Sequence, residues 1–177
     1  MRRLVDAGRL LRFMRALGEV ASDPAQVFFT GGASAVLLEW RASTIDVDMK
    51  IDPDRGTILR AIPALKEELE INVELASPGD FIPELPGWRE RSPWIATEGL
   101  LTFHHYDFYA QALSKIERWH ARDQSDVLAM FARQLIEPRN LLQYFAAIET
   151  ELFRYPAIDP PAFRRAVEGA VKAQSKP

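Results

Sequence analysis

A chain of 177 residues, 47% hydrophobic and 27% charged, has the makeup of an ordinary globular protein that buries one respectable core. It has no cysteine, which excludes disulfides and thiolate metal sites, and with only three histidines a structural zinc is not expected. The net charge of −3 argues against a general nucleic-acid coat; no apolar run approaches the roughly 18 residues of a membrane span and the opening residues lack a signal-peptide core, so a cytoplasmic protein without membrane attachment is expected.

Residues 4–20 place Leu4, Val5, Leu10, Leu11, Met14, Leu17 and Val20 near helical spacing with arginines between them, which predicts an amphipathic helix. Residues 26–30, rich in valine and phenylalanine, read as a buried strand, and Ala35 to Leu38 as a short helix after Gly31-Gly32. Residues 44–51 alternate cleanly: Ile45, Val47, Met49 and Ile51 share one face, Asp46, Asp48 and Lys50 the other. A helix over 58–69, kinked or split at Pro63, leads to a strand at 71–75 that puts Glu74 on the non-core face.

Pro78, Pro83, Pro86 and Pro93 then mark an extended loop, a lid or a surface crossing. Residues 94–106 read as two short strands or a hairpin around Gly99. Helices are expected over 108–119, 123–136, 138–153 and 160–172, with a loose tail from Ala173. The fold class is therefore α/β (α+β), a mixed sheet with helices packed on it over residues 1–106 and a helical region over 107–177, the two packed as one compact unit.

The chemistry concentrates where the glycine pair meets the acidic strand. Glycines at a strand-to-helix turn offer bare backbone N–H groups to phosphate, and two aspartates at i, i+2 on one strand face suit magnesium, which takes a few carboxylate oxygens and keeps other positions for water and phosphate. A third carboxylate on a neighbouring strand, Glu74, is the candidate for a second metal contact or for taking a proton. Ser34 can add a hydroxyl contact and Lys115 a point charge for the outer phosphates, while Asp123 can cap the helix that follows and Arg122 and Asp126 can tie it to the α/β half. Each has a plainer rival: an acidic strand face is often only solvated, and a helix lysine only exposed. His104 and His105 fall on opposite strand faces and are read as structural, and Trp88 and Trp94 either stack a base or pin the loop.

Gly31-Gly32, Arg41, Ser43, Asp46 and Asp48 resemble the first motif of the polymerase-β-type nucleotidyltransferase superfamily, especially its bacterial branch of AbiEii-type toxins. The stretch 113–118 with Arg122, Asp123 and Asp126 is similar to that branch's later K-x-x-R and R-D-x-x-D motif. One departure is that Gly32 fills a position where the wider superfamily carries serine, the nearest serine being Ser34. The resemblance implies a nucleotidyltransferase-like sheet and a magnesium-dependent enzyme that moves NMP from an NTP to an RNA, protein or small-molecule acceptor. Asp46, Asp48 and Glu74 would be its catalytic and metal residues, and Gly31, Gly32, Ser34 and Lys115 its nucleotide contacts. It also implies a toxin–antitoxin setting with an antitoxin partner. The alternative is a catalytically weak or inactive nucleotide-binding or partner-binding module on the same fold.

Overall fold

The computed structural model describes residues 3–174. They form seven α-helices and one five-stranded mixed sheet. In chain order the elements are α1 (Ala7–Val20), β1 (Ala25–Thr30), α2 (Gly31–Leu37), β2 (Asp46–Asp52), α3 (Gly56–Glu68), β3 (Asn72–Glu74), β4 (Trp94–Glu98), β5 (Leu101–His105), α4 (Phe108–Arg118), α5 (Ala121–Ala132), α6 (Pro138–Glu149) and α7 (Pro160–Gln174). Among the described residues no helix is long and apolar enough to cross a membrane.

The chain divides into two compact units. Residues up to Ser77, together with Ser92–Tyr106, make the α/β unit; Pro78–Arg91 and everything from Asp107 onward make the helical unit. The proline-rich segment, assigned by sequence to residues 1–106, belongs with the helices for visible reasons. Tyr155 donates its hydroxyl to the Gly79 carbonyl at 3.0 Å, the Arg118 guanidinium lies 5.7 Å from the Phe81 ring centre, and Arg91 pairs with Asp107 at 2.7 Å.

In the α/β unit the strand order is β3-β2-β1-β5-β4. β1 runs antiparallel to β2 and parallel to β5, and β2 runs parallel to β3. β2 alternates half-buried and buried residues along its whole length, so Val47, Met49 and Ile51 enter the core and the acidic residues take the other face. Val27, Phe29, Leu101 and Phe103 join the same core. α1 covers it with Leu10, Phe13, Met14 and Leu17, spaced i, i+3, i+4, i+7 as one helical face demands, and α3 adds Ile58, Ile62 and Leu65. Each such buried side chain stabilises the fold by roughly 1.5–3 kcal/mol of apolar transfer, before the entropy of ordering it. Asp6 starts α1 by accepting from the Arg9 N–H at 2.8 Å.

Several expected boundaries shift for local reasons. α3 continues through Pro63 as one helix, although proline supplies no N–H to the preceding turn. α5 begins at Ala121 with His120 as its N-cap, so Asp123 lies inside the first turn and caps nothing. α6 stops at Glu149, and the residues expected to extend it form a separate tight turn, Leu152–Arg154. Ala173 and Gln174 close α7; the remainder of the expected tail lies outside the described residues.

In the helical unit α4 contacts α5, α6 and α7, and α6 contacts α7. Leu113, Ile116, Val127, Met130, Leu141, Phe145, Ile148, Phe163 and Val167 are buried there. Asp107 caps α4 by accepting from the Tyr109 N–H, and Pro138 occupies the first turn of α6, where its missing N–H costs no helical bond.

Candidate active site

Strand register assembles the acidic face. Asp48 on β2 lies beside Glu74 on β3 and beside Thr30 on β1, and Asp46 lies beside Asn72. Paired residues on neighbouring strands project to the same side, so Asp46, Asp48, Asn72 and Glu74 share one surface of the sheet, opposite the packed core. Asn72 was not singled out from sequence. Its Nδ2 donates to Asp46 Oδ1 at 2.7 Å and to Glu74 Oε1 at 3.1 Å, so one amide nitrogen stands between two of the three candidate carboxylates. Only the pairing of β2 with β3 brings it there.

The glycine turn closes against the same face. Thr30 is the N-cap residue of the seven-residue α2, and Gly31 opens that helix with φ at +56°, a left-handed conformation that a side chain disfavours. A Cβ at Gly31 would stand 3.1 Å from Asp48 Oδ2, so the bare backbone of the turn lies directly against the second aspartate of the D-x-D pair. At Gly32 a Cβ would fall 2.0 Å from Thr44 Oγ1 and 2.7 Å from Thr44 Cβ. Thr44 therefore fills the room that a serine at position 32 would need, which gives the departure from Gly-Ser a steric cause. The Thr44 hydroxyl donates to the Asp46 carbonyl at 3.0 Å and so ties the loop before β2 to the strand.

Ser34 is placed differently from its expected role. It is fully buried, its hydroxyl donates to the Phe29 carbonyl at 3.1 Å, and His105 Nδ1 lies 2.9 Å from the same oxygen. Because the single hydroxyl proton goes to the carbonyl, Nδ1 carries the hydrogen and donates. The three groups lock α2 onto β1 and β5, which leaves Ser34 a structural hydroxyl and not a surface contact for phosphate. Burial, reinforced by the neighbouring His104, pulls the His105 pKa down to about 4. A histidine held neutral in the folded state stabilises it fully above the unfolded value near 6.5, and that contribution drains away as pH falls from there through about 4. Between pH 7 and pH 4 wild type is therefore expected to lose about 3 kcal/mol of unfolding free energy more than His105→Asn does, measured by urea titration at each pH. Equal losses in the two proteins would contradict this. His104 takes the opposite face of β5 and stacks on Phe28, with ring centres 5.2 Å apart.

Lys115 lies in the helical unit, 5% exposed. Its Nζ contacts Asp126 Oδ2 at 2.6 Å and Asp123 Oδ1 at 3.4 Å, and Arg118 reaches Asp123 at 3.1 Å. The later sequence motif thus builds a buried charge network between α4 and α5. Asp126 pairs with Lys115 inside the helical unit, and the Lys115 ammonium is sequestered by carboxylates.

The donor set of the D-x-D pair, hard oxygens on adjacent outward positions, fits magnesium, and Asp46 and Asp48 are the residues that would hold it. Glu74 lies beside Asp48 on the neighbouring strand and accepts from Asn72; among the described residues no group of three or more histidine, aspartate or glutamate side chains is arranged to hold a metal ion. Chemically the arrangement is a pair of carboxylates next to a glycine turn that carries no Cβ, with a third carboxylate linked to the first through the Asn72 amide. Fold and site together define a mixed α/β protein with an acidic strand face beside a glycine turn. No protein-family model, no curated protein and no solved structure matches the chain.

Proposed function

We propose that the α/β unit is a magnesium-dependent nucleotidyltransferase that transfers NMP from an NTP to a hydroxyl or phosphate acceptor on RNA, protein or a small molecule. The observation that carries this reading is the placement of Asp48, which is one step from Asp46 on the same strand face and abuts the backbone of Gly31. Phosphate oxygens approach closest where no Cβ intervenes, and carboxylates beside that opening hold the cation that makes such an approach favourable. Magnesium, when bound, supplies charge neutralisation at the transferring phosphoryl group. Asp46 and Asp48 position it, Gly31 keeps the neighbouring space open, and Gly32 lets the turn pack flush on Thr44. The ordered resemblance of two motifs to AbiEii-type nucleotidyltransferases supports the same reading and adds the setting: a cytoplasmic toxin with an antitoxin partner.

A second reading is favoured by three specific placements. Ser34 is buried, Lys115 is paired with aspartates, and Asn72 stands between Asp46 and Glu74. These suit a nucleotide-binding or partner-binding module that turns over weakly or not at all. Calorimetry with each NTP and magnesium, on wild type and on Asp46→Ala/Asp48→Ala, tests both readings. Magnesium-dependent binding is expected in wild type and is expected to weaken at least tenfold in the double variant, which corresponds to about 1.4 kcal/mol or more. Transfer from α-labelled NTP to RNA or protein then selects the enzyme, and tight binding without transfer selects the module. Wild type that binds no nucleotide would sink the enzyme and the nucleotide-binding module, and would leave the partner-binding form of the second reading.

A further inference from the structure

The helical unit carries a groove of about 400 Å³ that none of its described residues fills. α5 contributes Gln124, Val127, Leu128 and Phe131, and α7 contributes Ala166, Gly169, Ala170 and Ala173. Each set repeats i, i+3, i+4, i+7, so two helices each turn a complete two-turn face toward one shared channel. Two features of this channel are unexplained by the chain's own packing. Leu128 is 55% exposed on its wall. At Gly169 a Cβ would meet nothing within 4 Å, so no internal contact asks for glycine there, although mid-helix glycine costs roughly 1 kcal/mol relative to alanine.

The charge at the rim is one-sided. Among the described residues Arg165 is the only charged one lining the groove, and Lys172 follows seven residues later on the same edge of α7. Among the described residues neither has an ion-pair partner, whereas Arg164, one position away, is paired with Glu149 and Glu168. An apolar channel two helical turns long with a row of cations along one bank fits one kind of occupant. We infer that the α5–α7 groove is the docking site for a short amphipathic helix of a partner protein, with apolar residues at i, i+3, i+4, i+7 and an acidic flank against Arg165 and Lys172. The apolar anchors of such a helix replace the water over Leu128 and Phe131, and the bare surface at Gly169 allows its backbone close approach. The acidic flank sets the direction in which it lies.

The test uses the full chain, isotopically labelled, with two stapled helical peptides of 14 residues. Both carry leucine at i, i+3, i+4, i+7; one has glutamates and the other lysines along a single flank. The acidic peptide is expected to shift amide resonances of α5 and α7, and the basic peptide to bind at least tenfold more weakly. Arg165→Glu/Lys172→Glu is expected to reverse that order. Gly169→Leu, whose Cβ meets no atom of the chain within 4 Å, places an apolar side chain in the channel, so it is expected to abolish binding while leaving helix content and melting temperature at or above wild type. The inference is overturned by the absence of shifts at about millimolar peptide, by equal affinity for the two peptides, or by binding that survives Gly169→Leu. Resonance shifts that follow protein concentration alone would assign the groove to a second copy of the chain and overturn it as well.

Discussion

Lys115→Met is expected to lower the unfolding free energy by about 3–5 kcal/mol, seen as a large drop in the urea midpoint. The side chain is 6% exposed and faces Asp126, whose side chain is 1% exposed, at 2.6 Å. Removing the cation leaves a carboxylate in a place where water cannot replace the lost ammonium, and that penalty exceeds the net worth of the intact pair. A double variant, Lys115→Met/Asp126→Leu, removes both charges and is expected to recover most of the loss. Coupling between the two positions above about 2 kcal/mol distinguishes a buried pair from a surface one, which couples by at most about 1 kcal/mol. An unchanged midpoint in Lys115→Met would show that the ammonium is not needed where it lies.

Gly32→Ala should be nearly as damaging, at about 3 kcal/mol, the upper part of the range for overpacking. The new methyl would fall 2.0 Å from Thr44 Oγ1, and rotating that hydroxyl away does not help, because Thr44 Cβ, fixed by the backbone, is itself only 2.7 Å off. The loop bearing Thr44 must move, and it is anchored by the backbone pairing of Thr44 with Val5 and by the bond from the Thr44 hydroxyl to the Asp46 carbonyl. Gly32→Ala/Thr44→Gly deletes both opposing atoms and is expected to be less destabilised than the sum of its single changes. Thermal melts of the four proteins check this, and simple additivity would refute it.

What sequence made legible was local and periodic. From Asp46 to Ile51 β2 alternates as read, because one strand face is buried and the other is not, whereas Ile45, read onto the core face, precedes the strand and is exposed; the core side of α1 follows from the spacing of Leu10, Met14 and Leu17. Glycine at 31 and 32 was marked as backbone chemistry, and the structure gives each a separate cause: a positive φ at one and a missing Cβ at the other. What escaped depends on pairing between distant segments. Asn72 gains its place between Asp46 and Glu74 only through the register of β3 on β2, and an asparagine in a three-residue strand has no periodic signature. Ser34 is expected from its place after the glycine pair to offer phosphate a hydroxyl contact; the partner that buries it, His105, lies 71 residues away. Lys115 and Asp126 were both noticed, but whether a helix lysine faces solvent or an acidic neighbour is decided by how α4 meets α5, which no spacing within either helix reports.

Pro78–Arg91 is made early in the chain and belongs to a unit whose other residues start at Asp107. It carries Ile82, Leu85 and Trp88, all buried in the finished protein, and its bond to Tyr155 closes only after that residue has been added. At roughly 5–20 residues per second of synthesis, those apolar groups stay uncovered for several seconds on the ribosome. The helical unit is thus assembled from an early piece kept waiting and a late piece that completes it, and the nascent chain passes through an interval of stickiness that neither finished unit retains.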